Sequence, residues 1–98
     1  MSIFMADCDL PGITLEHLAQ AQRRAIEASE RSTALGRPIR YLRSVWVPGD
    51  WRVMWLFEAE DAAAVEDGMR AAHIPFLRVV DALDLTSAVM TAEKTGGG

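Results

Sequence analysis

The sequence predicts one α+β domain whose elements follow the order strand, helix, strand, strand, helix, strand. Two segments carry apolar residues at helical spacing, and each begins at a residue with a capping side chain. Between them, two alternating strands flank the turn sequence Pro48-Gly49-Asp50. Short apolar runs open and close the pattern, so a strand is expected at each end of the domain.

Length and composition restrict the class of protein. With 98 residues, 50% apolar and 24% charged, the chain suits one folded domain, predicted at 1–86, followed by a flexible tail at 87–98. The net charge of -4 argues against nucleic acid or an anionic membrane as a partner. Cys8 is the single cysteine, so no disulfide forms within the chain. Without a secretory leader or a membrane-spanning stretch, a cytoplasmic location is expected.

The bounds of the first strand and the first helix are predicted from glycine and proline residues as well as from the apolar pattern. Residues 2–9 form a mostly apolar run that ends before Pro11 and Gly12. Thr14 then offers a hydroxyl as the N-cap of a helix of about five turns. Glycine and proline at 36–38 end that helix.

The hairpin that follows carries apolar side chains in both phases. Alternation predicts that one side of its first strand consists of Ile39, Tyr41, Val45 and Val47, and the other side of Leu42 and Trp46. In residues 51–59, aromatic residues alternate with Met54 and Leu56 in the same way. Neither strand therefore has a plain solvent-facing side.

A second helix and a fourth strand are predicted after the hairpin. Asp61 is predicted to cap a second helix, which Pro75 ends, and residues 76–85 are predicted as the fourth strand. This order closes into the ferredoxin-like βαββαβ fold, a four-stranded antiparallel sheet with both helices on one face. The other sheet face is also apolar, so we expect a homodimer to cover it, and the covered face could also enclose a small-molecule pocket.

Carboxylates at the end of the first strand are the most suggestive polar pair. Asp7 and Asp9 project from the same side of that strand. Such a pair can hold a metal, act as a general base if one carboxylate is desolvated, or only solvate the strand end. His73 ends the second helix, where a structural cap is the alternative to metal binding. The candidate metal ligands are Asp7, Asp9 and His73.

A wider set of residues is predicted to bind a ligand or to act on it. The ligand-binding candidates are Asp7, Asp9, Tyr41, Trp46, Trp55 and Glu58. The tryptophans could equally fill the core or a dimer interface. Arginines in the strands, Arg43 among them, are expected to pair with carboxylates or to hold an acidic ligand. The catalytic candidates are Asp7, Arg43 and His73.

Four segments resemble a known family. They are DLPGIT at 9–14, RYLRSVWVP at 40–48, LFEAEDAAAV at 56–65 and IPFLRVVDALDL at 74–85. Together they resemble small ferredoxin-like proteins catalogued as a domain of unknown function, whose best-known type binds nickel. The resemblance implies the ferredoxin-like fold, a dimer and a role in handling a divalent metal such as nickel.

The chain departs from that family where nickel ligands are expected. The family often has a histidine or another polar residue in helix two and a cysteine in the third strand. This chain has EDGMRAAHIP at 66–75 and RVMWLFEA at 52–59 in those places. Apart from His73 at the end of helix two, the imidazole and thiolate donors that nickel favours are therefore missing there.

Functions of different classes follow from these observations. The first is a small dimeric ligand-binding protein that takes a divalent metal or a small apolar ligand. The second is a dimeric ferredoxin-like enzyme, an isomerase, cyclase or cofactor-free oxygenase, that acts on an aromatic or polyketide-like molecule. A purely structural dimer with a filled interface is the third.

Overall fold

The computed structural model describes residues 1–85 and contains the six predicted elements. In chain order they are β1 (Ser2–Asp9), α1 (Leu15–Ala34), β2 (Ile39–Val47), β3 (Arg52–Ala59), α2 (Ala62–Ala71) and β4 (Arg78–Asp81). The strands form one antiparallel sheet in the order β2-β3-β1-β4. The predicted ferredoxin-like fold is therefore confirmed, whereas the predicted tail at 87–98 lies outside the described residues.

Both helices begin at the capping residues that the sequence indicates. The Thr14 hydroxyl accepts a hydrogen bond from the His17 N–H at 3.1 Å. The Asp61 carboxylate accepts one from the Ala64 N–H at 2.9 Å. These bonds satisfy N–H groups that the first turn of a helix otherwise leaves without partners.

The core lies between the two helices and one face of the sheet. Its strand residues alternate along β1 and β3, as period-two geometry requires: Phe4, Ala6, Cys8, Val53, Trp55, Phe57 and Ala59. Trp55 is the largest fully buried side chain. The helix α2 approaches the sheet closely at Gly68, where a Cβ atom would lie 3.3 Å from the Ile39 Cδ1.

A β-bulge in β2 changes which of its residues share a face. The register shift between Tyr41 and Arg43 inserts one extra residue into this strand. Beyond the bulge, Trp46 packs against the core on the side of Tyr41, and Val45 and Val47 face away from the helices. The prediction that Val45 and Val47 share the side of Tyr41 is wrong, because one inserted residue inverts the alternation.

The sheet face away from the helices, called the open face below, mixes apolar and charged side chains. Its apolar residues include Ile3, Met5, Met54, Leu56 and Val80, which are half-buried. Three sets of ion pairs lie on it: Arg40 with Glu58, Arg43 with Asp84, and Asp7 with both Arg52 and Arg78. Within residues 1–85, neither helix is both long and apolar enough to cross a membrane.

Candidate functional site

A cleft of about 740 Å³ lies between the second half of α1 and the start of β2, and we call it the α1–β2 cleft. It is lined by Met1, Ile26, Ser29, Glu30, Thr33, Ala34, Pro38, Ile39, Arg40 and Tyr41. The α1 residues recur at spacings of three and four, so they form one side of the helix. The cleft therefore opens between that side and the edge strand of the sheet.

Hydrogen bonds from α1 to β2 fix one end of this cleft. The Thr33 hydroxyl accepts from the Ile39 N–H at 3.1 Å and donates to the Ile39 carbonyl at 3.0 Å. This pair ties the end of the helix to the first residue of the strand. The Thr33 side chain thus holds the two walls of the cleft together at this end.

Three hydroxyl groups on the cleft walls, those of Ser29, Thr33 and Tyr41, already have partners inside the protein. The buried Ser29 hydroxyl donates to the Ala25 carbonyl at 2.8 Å. The Tyr41 hydroxyl accepts from the Gln22 side chain at 2.9 Å and shares a second bond of 2.9 Å with the Ser44 hydroxyl. Because these groups are satisfied, the walls offer a ligand mainly apolar contact.

Aromatic residues of the predicted ligand-binding set lie in and beneath the cleft. Tyr41 lines it, and the ring centroid of Tyr41 is 6.3 Å from that of Trp55 and 5.7 Å from that of Phe57. Trp55 has no exposed surface, so it supports the wall and cannot touch a ligand in the cleft. Trp46 is half-buried against the core, and its indole N–H has no hydrogen-bond partner among residues 1–85.

Asp7 lies on the opposite side of the sheet from the cleft and is held between two guanidinium groups. Arg52 donates to both carboxylate oxygens, and Arg78 Nε lies 3.4 Å from one of them. The hydrogen bond from Arg52 is the largest cause that lowers the pKa of the Asp7 carboxyl, and it outweighs the opposing effect of burial. This environment keeps Asp7 ionised and opposes a raised pKa, so it does not suit a general base.

Cys8 points into the core on the other side of β1. Burial raises the pKa of its thiol to about 12. The indole N–H of Trp55 faces the Cys8 sulfur, a weak acceptor, and has no conventional hydrogen-bond partner in the described part of the chain. Cys8 is therefore a small core residue that stays protonated at neutral pH.

Three further charged candidates lie on the side of the sheet away from the cleft. Asp9 is exposed at the end of β1, and Glu58 pairs with Arg40 at 3.0 Å on the open face. Arg43 pairs with Asp84 on the same face. The sheet thus separates these charged residues from Tyr41 in the cleft.

His73 occupies the left-handed position that follows α2. Its φ is 57°, its N–H donates to the Arg70 carbonyl at 3.0 Å, and the Ile74 N–H donates to the Met69 carbonyl at 3.0 Å. This is a Schellman motif, so His73 terminates the helix. His73 and His17 line a second, smaller cleft of about 270 Å³ that also contains Arg24, a proximity that their spacing in sequence does not reveal.

A family profile described as nickel responsive protein SCO4226-like matches residues 4–81 of the chain. The chain belongs to the SCO4226-like family. The crystal structure of SCO4226 from Streptomyces coelicolor A3(2) superposes with a TM-score of 0.74, at 17% sequence identity, over 87% of this chain and 100% of that one. At this identity the similarity supports the fold alone. No curated protein matches the chain.

Metal donors in this SCO4226-like chain do not form a chelating group. Among residues 1–85, no three histidine, cysteine or carboxylate side chains are placed to hold one ion. Asp7 is occupied by arginines, Cys8 is buried, and His73 lies beside Arg24, whose positive charge opposes a cation. The donors among the described residues therefore do not fit nickel.

Proposed function

We propose that this SCO4226-like protein binds a small apolar molecule in the α1–β2 cleft. The observation that carries the proposal is the cleft itself, about 740 Å³ in volume, whose Ser29 and Tyr41 hydroxyls are hydrogen-bonded inside the protein. Ligand pockets for small molecules are typically about 300–1,000 Å³ and are lined mainly by apolar side chains. An apolar ligand would gain contact there without leaving buried polar groups of the protein unpaired.

The cleft can be tested with the neutral fluorescent probe N-phenyl-1-naphthylamine. We expect saturable binding to the full chain, and binding at least about tenfold weaker to Ala34→Trp, because an indole at this lining position would fill the cleft. Ala63→Trp is the matched control, since Ala63 is also an exposed helical alanine but does not line the cleft. Equal affinity in both variants, or no saturable binding at all, would contradict the proposal.

Nickel provides a second test, because the family description names it. If one subunit held nickel, an excess of about 100 times the dissociation constant would add about 2.7 kcal/mol to stability and raise the melting temperature. The scattered donors predict that excess nickel leaves the melting temperature of wild type unchanged, and that His17→Ala and His73→Ala behave like wild type. A rise that disappears in either variant would show a metal site at the smaller cleft.

We also propose that the protein acts as a homodimer that associates through the open face. The support is the apolar content of this face and the exposure of Val45 and Val47, which are 49% and 36% exposed. The enzyme hypothesis gains no comparable support. Its candidate residues Asp7 and Arg43 are on the open face in ion pairs, and His73 is on the helix side.

A further inference from the structure

The smaller cleft differs from the α1–β2 cleft in the chemistry of its walls. Its polar lining residues are His17, Gln20, Arg24 and His73, and each of these side chains can donate hydrogen bonds. The rest of its lining is apolar, and within the described part of the chain no aspartate or glutamate contributes to it. In a chain whose net charge is -4, this cleft is therefore a local concentration of cationic and donor groups.

These donors converge from two separate elements. His17, Gln20 and Arg24 follow one another at spacings of three and four in the first half of α1, so they lie on one side of that helix. His73 approaches from the end of α2, about fifty positions later in the sequence. The fold thus assembles a group of donors that no local motif contains.

Backbone contacts hold Arg24 and His73 in place. The left-handed conformation of His73 fixes where its side chain leaves the chain after α2. The Arg24 Nε–H donates to the carbonyl of Ala72, the preceding residue, at 2.8 Å. This bond caps α2, and it leaves the N–H groups on both Nη atoms of the guanidinium available. Those groups have the spacing that a carboxylate needs for two parallel hydrogen bonds.

Arg24 also differs from most arginines of the chain in its charge environment. Six other arginines pair with a carboxylate, whereas Arg24, which is exposed, has no such partner among residues 1–85. A guanidinium held in one position without a carboxylate of its own can take one from a ligand. The same charge explains why this cleft does not suit a metal cation.

Charges beside the cleft do not favour a cation either. A neighbouring hollow of about 480 Å³ shares His73, Ile74 and Pro75 with the cleft and adds Arg70, whose guanidinium lies 5.4 Å from the Phe76 ring centroid. The partner of Arg70 is Asp67, and Asp67 also pairs with Arg37. One carboxylate is therefore shared by two guanidinium groups, which leaves this part of the surface positive.

We propose that the smaller cleft binds a small organic carboxylate. The carboxylate accepts two hydrogen bonds from the Nη groups of Arg24, with the imidazoles of His17 and His73 beside it. The apolar lining, which includes Ile13 and Ile74, contacts the hydrocarbon part of the ligand. A volume of about 270 Å³ restricts the ligand to a small molecule, near the lower end of typical ligand pockets.

Isothermal titration calorimetry of the full chain with benzoate tests this site. We expect one saturable site in wild type and binding at least about tenfold weaker to Arg24→Gln, because an amide cannot replace the paired N–H groups of a charged guanidinium. Arg23→Gln is the matched control, since it makes the same change of charge at an exposed α1 residue outside the cleft. Benzamide, the neutral analogue of benzoate, should also bind at least about tenfold more weakly to wild type.

A second variant keeps the test valid if the loss of the bond to Ala72 unfolds Arg24→Gln, which circular dichroism would reveal. His17 is exposed, so His17→Gln should stay folded and weaken benzoate binding at least about threefold. Ala34→Trp, which fills the α1–β2 cleft, should leave benzoate binding unchanged.

Several results would overturn the proposal. They are the absence of saturable benzoate binding, equal affinities in Arg24→Gln and Arg23→Gln, and equal affinities of wild type for benzoate and benzamide. Inorganic phosphate that binds more tightly than benzoate would contradict the choice of a carboxylate. Loss of benzoate binding in Ala34→Trp would place the carboxylate in the α1–β2 cleft instead. Because the two clefts are separate, none of these results depends on the binding of N-phenyl-1-naphthylamine.

Discussion

Replacing Trp55 by alanine should lower the free energy of unfolding by about 4 kcal/mol. Trp55 has no exposed surface, and its ring lies against Tyr41 beneath the α1–β2 cleft. Removing the indole would leave a large cavity between the sheet and the helices, and the surrounding chain can close such a cavity only in part. Urea unfolding of the variant and of wild type measures the difference.

Two further tryptophan variants make this prediction specific. Trp55→Phe should cost much less than Trp55→Ala, because phenylalanine keeps most of the ring volume and removes an indole N–H that lacks a conventional partner. Trp51→Ala should change stability by less than about 1 kcal/mol, since Trp51 is partly exposed in the turn after β2. A Trp55→Ala variant as stable as Trp51→Ala would contradict the packing of the core described above.

Replacing Asp7 by asparagine should cost about 2 kcal/mol at neutral pH, because a buried carboxylate that accepts from two arginines becomes a neutral amide. The folded state lowers the pKa of Asp7 below its ordinary value of 3.8. Its contribution is therefore complete well above that value and is lost as the pH falls through the folded pKa. The difference in stability between the variant and wild type should thus shrink on acidification. Urea unfolding at neutral and at acid pH measures this change.

Asp9 supplies the control for the Asp7 variant. It lies two residues further along β1 with its side chain on the same side of the strand, but it is exposed. Asp9→Asn should therefore alter stability by less than about 0.5 kcal/mol at either pH. An Asp7 effect of the same size at both pH values would show that the loss does not come from the ionised carboxylate.

Much of the fold could be predicted because local signals agree with the global arrangement. The caps at Thr14 and Asp61 mark helix starts, and the alternation in β3 identifies its buried face. The alternation predicted for β2 is wrong beyond Tyr41. A bulge depends on how two strands pair, so the sequence of one strand does not indicate it clearly. The fourth strand predicted at 76–85 was too long, since β4 spans only Arg78–Asp81 and residues 82–85 resemble a strand in composition.

The site was harder to predict than the fold. The α1–β2 cleft has no sequence motif, because it arises between the side of a helix and an edge strand that are joined at one end by the Thr33–Ile39 hydrogen bonds. Tyr41 was predicted from the sequence as a ligand-binding residue, in one set with Asp7. In the structure, Asp7 lies on the other side of the sheet from Tyr41. Arg52, the main partner of Asp7, was missed because the pairing depends on the register of β1 and β3.

The open face is the part of the molecule for which the sequence predicts a covering partner. Two helices cover one side of the sheet, and the apolar pattern of the other side led us to expect a second subunit. In the structure the chain's own residues Ala82 and Asp84 also contact the sheet, through the Ile3 carbonyl and the Arg43 guanidinium. A second copy is therefore proposed to cover the remaining part, where Val45 and Val47 are exposed.

The central claim is that the α1–β2 cleft binds an apolar molecule, and a ¹⁵N–¹H NMR titration of the full chain with N-phenyl-1-naphthylamine tests it most directly. The claim predicts that the largest saturable shifts occur at the amides of Ser29, Thr33 and Ile39, which surround the cleft. Shifts concentrated on the open face at Met5 and Leu56, or no saturable shifts, would contradict it.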